Sequence, residues 1–223
     1  MRVMKKLFSN IAGRYDRMNR LMSLSLDIRW RRMTLNCVSM PPSGPVLDLA
    51  CGTGDFAAEV LRRRPDAEIT GLDLSPAMLD LARTKLGDRR NVNLVSGDAQ
   101  DLSRFAPGSF ALIVCGFGFR NFPDKPRALA ECHRVLKPDG ELAVLELFRP
   151  ASRIVGACVN AWLRTVAAVF ARGATDEYAY LRRSIANTVS ADEFEKLARR
   201  VGFAVTRRRN LFPAATCITL SAV

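Results

Sequence analysis

The sequence is poor in the residues that build metal centres. It has one histidine, His133, and its six cysteines at 37, 51, 115, 132, 158 and 217 form no C-x-x-C pair. Clustered thiol and imidazole ligands are what a zinc site requires, so no metal is expected. The same scattered spacing argues against a disulfide framework, and cysteines in apolar surroundings such as Cys37, Cys51, Cys115 and Cys158 read as small hydrophobes. Long apolar runs are also missing: the longest, Ile154 to Ala171, is interrupted by Asn160 and Arg164, which excludes a membrane span. The first ten residues, MRVMKKLFSN, are basic without a following apolar stretch, so no signal peptide is expected and the reading is cytoplasmic. No internal repeat or low-complexity stretch is present.

Acidic residues are in deficit. Thirty-four Lys and Arg face 22 Asp and Glu, a net charge of +12. Such a balance speaks of partners, not of fold, and suits nucleic acid, an anionic membrane surface or acidic small molecules. Arg2, Lys5, Lys6, Arg14, Arg17, Arg20, Arg29, Arg31 and Arg32 fall in the first 40 residues, against only Asp16 and Asp27. The expectation is peripheral contact with an anionic membrane at its inner face, set against a plain solvated helix face.

Residues 3–38 carry apolar positions at three- and four-residue steps and read as helical; Pro41-Pro42-Ser43-Gly44-Pro45 then breaks the chain. Short apolar runs follow at Val46–Ala50, Glu68–Leu72, Val92–Val95, Phe110–Cys115 and Glu141–Leu147. Helix patterns lie between them at 56–64, 76–86 and 125–136. Strands alternating with helices predict βαβ units and a mostly parallel, doubly wound sheet of the α/β class. The end reads as a helix over 191–201, a stop at Gly202, and two strands near 203–208 and 215–221 with room for an antiparallel hairpin, making seven strands in all. One domain is expected: a helical cap over 1–40, a core over 44–150, a helical cover over 151–189, and closing elements over 190–223. No distinct assembly signal is present, which leaves a homodimer open.

Val46-Leu47-Asp48-Leu49-Ala50-Cys51-Gly52-Thr53-Gly54-Asp55 has the order strand, glycine turn, helix. The glycines let the backbone approach a ligand beyond the carboxyl end of a strand, where open α/β sheets bind. Asp73 ends the second strand 21 residues beyond Gly52, where a carboxylate can accept from two ribose hydroxyls. The third glycine of a dinucleotide fingerprint is replaced by Ala57, which disfavours NAD. Asp98, in Gly97-Asp98-Ala99 after the third strand, can accept from an adenine amino group. Each aspartate alone reads equally as a cap or turn former; three in series at strand ends make a nucleoside site the better reading.

This series resembles the class I S-adenosylmethionine-dependent methyltransferases, with their Rossmann-like fold. The resemblance implies that Asp48, Gly52, Thr53 and Gly54 meet the methionine part of S-adenosylmethionine, that Asp73 with Leu74 holds the ribose, and that Asp98 with Ala99 meets the adenine. Met78 packs on the base or is simply core. Further segments narrow the family: Tyr15-Asp16-Arg17-Met18-Asn19, Phe117-Gly118-Phe119-Arg120-Asn121, Arg134-Val135-Leu136-Lys137-Pro138 and Tyr178-Ala179-Tyr180-Leu181-Arg182-Arg183-Ser184-Ile185. Together, from about Leu7 to about Phe212, they resemble the ubiquinone/menaquinone biosynthesis C-methyltransferases. That resemblance implies methylation of a ring carbon of a polyprenylated hydroquinone, demethylmenaquinol first among the acceptors. Arg120 would stabilise a phenolate or a water that takes its proton, with a structural ion pair as its alternative role. Asn121 would orient a hydroxyl, and Tyr15, Asp16 and Asn19 would form a lid, with helix capping as the plainer alternative. His133, expected on an exposed helix stripe, is read as a bystander.

The chain departs from the family's pattern at Asp27 in place of histidine, at Gly116 where a serine often contacts the cofactor, and at Phe148 in place of serine. Asn187-Thr188-Val189 stands in place of a Phe-Pro step, and Pro213-Ala214-Ala215-Thr216-Cys217 lacks the usual small-glycine pattern. These changes are expected near the acceptor cavity, so another aromatic acceptor stays open. So does a cofactor-binding subunit without catalysis. Methylation of RNA is the third alternative; the absence of an N-P-P-Y motif near Gly116-Phe117-Gly118-Phe119 argues against base N-methylation, and nucleic acid is not the expected partner.

Overall fold

The computed structural model describes residues 16–39, 43–150, 152–170, 175–211 and 213–222. A helix over 16–23 (α1) is followed by α2 (Leu26–Leu35). The single long helix expected over 3–38 is interrupted where Leu24 and Ser25 take left-handed φ values of 51° and 61°; no helix continues through such a pair. The core then alternates β1 (Val46–Leu49), α3 (Asp55–Arg63), β2 (Ile69–Asp73), α4 (Pro76–Leu86), β3 (Val92–Ser96), β4 (Phe110–Gly116), a 3-10 turn (Phe119–Asn121), α5 (Lys125–Val135) and β5 (Leu136–Glu146). The chain closes with α6 (Arg153–Phe170), α7 (Thr175–Asn187), α8 (Ala191–Arg200), β6 (Phe203–Leu211) and β7 (Ala215–Ala222).

The seven strands form one sheet in the order β3-β2-β1-β4-β5-β7-β6. The first five are parallel, and β7 runs antiparallel to both β5 and β6. The expected hairpin is present, with its second strand lying inside the sheet and its first at the edge. Burial explains that order. Ala215 through Leu220 are buried, whereas Thr206 to Asn210 of β6, including Arg207, Arg208 and Arg209, are exposed. Charged side chains protect an edge from further pairing.

Strand β1, VLDL, is buried along its whole length between β2 and β4. Those neighbours leave in opposite directions along the sheet, so a crevice opens beyond the β1 tip. Apolar clusters cover both faces: one around Phe119, Leu129 and Phe194, the other around Trp30, Phe56 and Val60. His133 is half-buried, its ring edge-on to Phe203 at 5.1 Å. The exposed position expected for it is corrected, because α5 packs against α8 and the Gly202 turn closes over the ring. Cys158 is exposed while the other five cysteines are buried, a second correction to the surroundings read from sequence. Among the described residues no helix is long and apolar enough to cross a membrane.

Helix α8 is held to this core by Phe194, which is fully buried, and its start is fixed by a reciprocal capping box. Glu193 N–H donates to Ser190 Oγ at 3.2 Å and Ser190 N–H donates to Glu193 Oε2 at 2.7 Å. Replacing Ser190 by alanine should lower the unfolding free energy by about 1 kcal/mol. A urea titration checks this, with the midpoint moving and the slope unchanged.

Candidate active site

Three turns meet at the carboxyl edge of the sheet. Gly52 and Gly54 adopt left-handed φ values of 54° and 81°, which leaves the backbone after β1 open to a ligand. Asp73 joins this turn to the next: Gly52 N–H donates to Asp73 Oδ2 at 2.8 Å, and Ser75 N–H donates to Asp73 Oδ1 at 2.8 Å. Burial raises the Asp73 carboxyl above its ordinary value despite these donors. At the β3 tip, Asp98 Oδ1 accepts from the N–H of Gln100 at 3.0 Å, and Gln100 Oε1 accepts from the N–H of Asp124 at 2.6 Å. The expected residues Gly52, Asp73, Leu74, Met78, Asp98, Ala99, Gly116 and Asn121 all line one cleft, floored by Leu72 and closed by Phe117 and Phe122. Met78, 1% exposed, both lines the cleft and packs with Met18.

Asp48 and Thr53 lie one layer deeper, around a small hollow shared with Arg31, Asp55 and Gly116. Gly54 lines neither space and caps α3. Asp48 is fully buried, and its Oδ2 accepts from Ala57 N–H at 2.9 Å. Burial pushes its carboxyl up to about 7, against the opposing pull of that N–H and of Arg31. A Cβ on Gly116 would lie 2.7 Å from the Phe56 ring, so the space a serine would need is filled from α3.

Helix α1 is bound to the glycine turn by a chain of charges. Thr53 Oγ1 donates to Asp16 Oδ1 at 2.6 Å, and Lys85 Nζ reaches Asp16 at 2.5 Å and Asp55 at 2.7 Å. Arg20 bridges Asp55, at 3.0 Å, to Asp27. Arg31, almost fully buried, donates to Asp27 at 2.7 Å, lies 3.6 Å from Asp55 and stacks over the Phe117 ring at 5.4 Å. Burial alone would raise Asp55; Arg31, Lys85 and Arg20 together hold it below the ordinary value. Removing one partner from so buried a pair costs about 3–5 kcal/mol. Tyr15 lies outside the described residues.

A second, larger space of about 600 Å³ opens on the other side of Phe117. Its walls are apolar, from Met22, Leu26, Trp30, Phe148, Val159, Leu181 and Ile185, with Asn19, Ser23, Asp27 and Arg120 as its polar groups. Arg120 is held from behind. Its backbone N–H and Nη1 donate to the two oxygens of Glu146 at 2.9 and 2.7 Å, its Nη1 also donates to the Phe117 carbonyl, and its Nε meets Ser184 Oγ at 3.3 Å. The ion pair weighed from sequence is therefore present, within a residue that also faces the cavity. Asn121 faces the cleft, and its Oδ1 accepts from Tyr180 Oη at 2.8 Å. Phe117 has a left-handed φ of 59° and, among the residues lining the two spaces, is the one common to both. Non-glycine residues held there mark functional turns. Arg31, Lys85 and Phe117 carry roles that local sequence did not reveal. Phe117 sat within a telling motif; Arg31 and Lys85 had no local signal.

A profile of the ubiE/COQ5 methyltransferase family matches residues 1–222. A protein of Thermotoga maritima named demethylmenaquinone methyltransferase is 38% identical over 215 residues, covering 94% of this chain and 92% of that one. A Citrifermentans bemidjiense protein named ubiquinone/menaquinone biosynthesis C-methyltransferase UbiE is 35% identical, covering 93% and 90%. Among solved structures, a SAM-dependent methyltransferase of Thermotoga maritima superposes with a TM-score of 0.70 at 20% identity, covering 99% of this chain and 100% of that one. One from Aquifex aeolicus gives 0.64 at 16%, covering 92% and 98%. The last two are alike in fold.

The raised Asp48 carboxyl makes a pH prediction. Its folded-state value of about 7 exceeds the ordinary 3.8, so the fold prefers the neutral acid. The stability tied to this group is complete below about pH 4 and is lost as pH rises to about 7. Asp48→Asn keeps an acceptor for Ala57 N–H and escapes that loss. Its melting temperature relative to the parent should climb across that window and level off above it. A constant offset at every pH would mean that Asp48 is ionised throughout.

Proposed function

The chain belongs to the ubiE/COQ5 methyltransferase family, and from that membership and the two adjoining spaces we propose that it methylates a ring carbon of a polyprenylated hydroquinone, with demethylmenaquinol as acceptor and S-adenosylmethionine as donor. The observation that carries this reading is Phe117. A cleft with nucleoside-type acceptors lies on one side of it and an apolar cavity with a few polar groups on the other. Methyl transfer between two substrates needs such a pair of sites meeting at one point. The whole chain acts as one domain in this reading, located in the cytoplasm at the inner face of the membrane where its acceptor is dissolved.

The residues present fit the donor. A Cβ at Gly97 would lie 3.0 Å from Leu72, so the cleft floor is built for close approach. Asp73 offers a carboxylate for a ribose diol, Asp98 and Ala99 flank the base, Leu74 and Met78 pack on it, and the Gly52–Gly54 turn takes the amino-acid end. Bound there, S-adenosylmethionine supplies an electrophilic methyl, whose bond to sulfur breaks as a bond to the ring carbon forms and the ring carbon gives up its proton. No metal takes part in this reading. Thr53 and Asp16 latch α1 across the turn and exclude water.

On the acceptor side the guanidinium of Arg120 faces the ring hydroxyls, where it favours the phenolate that makes the neighbouring carbon nucleophilic. Glu146 fixes that guanidinium in place instead of competing for the substrate, since its carboxylate is inaccessible. Asn121, held by Tyr180, positions the edge of the ring nearest the donor. Asp27, Phe148, Pro213 and Ala214 line the acceptor cavity, and each stands in a segment where the chain departs from the family's pattern. They favour a second reading, an altered prenylated aromatic ring as acceptor.

Purified protein should methylate demethylmenaquinol, and mass spectrometry of the product should show one added methyl on carbon. Turnover of other prenylated phenols with none of demethylmenaquinol would select the second reading; donor binding without turnover of either would overturn both. Arg120→Lys keeps a cation for Glu146 but loses the planar fork, and should lower kcat about a hundredfold while calorimetry finds donor affinity unchanged. Phe117→Gly relieves the left-handed backbone, which costs a larger residue about 1–2 kcal/mol. Its thermal stability should hold or rise while kcat falls. Full activity in this variant would show that the aromatic wall does not align the substrates.

A further inference from the structure

Helix α6 is apolar nearly all the way round yet has little to pack against. From 153 to 165 only Gly156 and Val159 are half-buried among the described side chains; the others are exposed. Ile154 is 77% exposed, Val155 48% and Trp162 40%, and across the cavity mouth Leu24 is 60% exposed. These are the large exposed hydrophobic side chains of the described chain, and all four also line the acceptor cavity. They are gathered on one rim, not scattered, as a functional patch would be. The helix bears Arg153 and Arg164 and no acidic residue, and Trp162, tethered through its Nε1 to the Met22 carbonyl at 3.3 Å, stands at the rim with an apolar ring and a polar edge. Apolar residues, a tryptophan and arginines without acids are the composition of a helix that lies in a membrane interface.

We propose that this rim, α6 together with Leu24, is the surface by which the protein docks on an anionic lipid bilayer, so that the acceptor cavity opens directly into the lipid. The proposal rests on the prenylated acceptor argued above and deepens it: a tail dissolved in the bilayer enters the cavity without crossing water. It also moves the contact away from the basic first forty residues, where charge alone would put it. A second copy is the competing occupant. A two-fold contact sets one patch against itself, which brings the α6 arginines of both copies together with no acid on the helix to neutralise them. Lipid phosphates supply the missing charge.

Vesicles of equal parts phosphatidylglycerol and phosphatidylcholine test it. The protein should float with them, and more weakly with phosphatidylcholine alone or at high salt. Trp30 is 5% exposed, so a blue shift of emission on vesicle addition that disappears in Trp162→Phe reports this rim. Each basic residue near an anionic surface is worth roughly fivefold in binding, so the double variant Arg153→Glu, Arg164→Glu should bind at least about twentyfold more weakly. It should keep its turnover of a tail-less, water-soluble hydroquinone while losing turnover of the prenylated acceptor in vesicles. Ile154→Asp with Val155→Asp should abolish flotation. Absence of flotation, flotation with unchanged Trp162 emission, or flotation indifferent to both double variants overturns the proposal, as does a blue shift that follows protein concentration without lipid, which marks a second copy. Failure to bind vesicles with the soluble hydroquinone still methylated leaves the proposed reaction standing; vesicle binding with no acceptor methylated leaves the surface standing and removes the reaction.

Discussion

Glu146 is the point on which the acceptor side of the site turns. Its side chain is inaccessible, and it accepts from Arg120 Nη1, from the Arg120 backbone and from Leu147 N–H. An isolated carboxylate at that depth would be expensive; this one is matched by a cation and two peptide donors. The consequence is geometric. The 3-10 turn at 119–121 is fixed to the end of β5, Arg120 is pressed toward one cavity and Asn121 toward the other. Both then reach α7, through Ser184 and Tyr180. One buried ion pair thus sets the partition between the spaces and the position of the helix that covers them.

The donor side uses charge in another way. Asp16, Lys85, Asp55, Arg20, Arg31 and Asp27 form an alternating series from the glycine turn to the edge of the acceptor cavity. Each link is partly screened where Asp16 and Lys85 approach solvent and little screened at Asp27 and Arg31. Movement of α1 therefore exchanges contacts at the outer end first. A hinge already exists in the left-handed Leu24 and Ser25 between α1 and α2. Asp48 stands apart from the series: without a cation in direct contact, burial wins and its carboxyl rises to about 7.

The alternation of strands and helices was legible because it is local. Apolar runs of four to seven residues and glycine turns placed β1 to β4 within a residue or so of their observed ends, and Gly52, Asp73 and Asp98 at neighbouring tips. The start of β5 was missed because Leu136-Lys137-Pro138-Asp139-Gly140 looks like a turn; the strand continues through it by shifting register against β4 and placing Asp139 at a φ of 61°. Arg31 and Lys85 were hidden for a different reason. Each reads as one more basic residue on a helix, and only long-range packing sets it against Asp27 or Asp16. His133 was misplaced because helical period predicts a face but not which neighbouring helix covers it.

The departures from the family's pattern are not alike in physical meaning. Gly116 is coupled to Phe56: the ring occupies the volume a side chain would need, so the loss of a hydroxyl there is compensated by packing and the cleft keeps its shape. Asp27 is likewise absorbed, by Arg20, Arg31 and Ser23, and it contributes a closed ion pair where histidine would contribute a titratable ring. Phe148 and the Pro213–Ala214 turn have no such partners to satisfy and only alter the shape of the acceptor wall. The donor cleft is therefore conserved in function by substitution in pairs, while the acceptor cavity is reshaped by single changes. Specificity is free to change on that side of Phe117 without disturbing the side that holds the methyl donor.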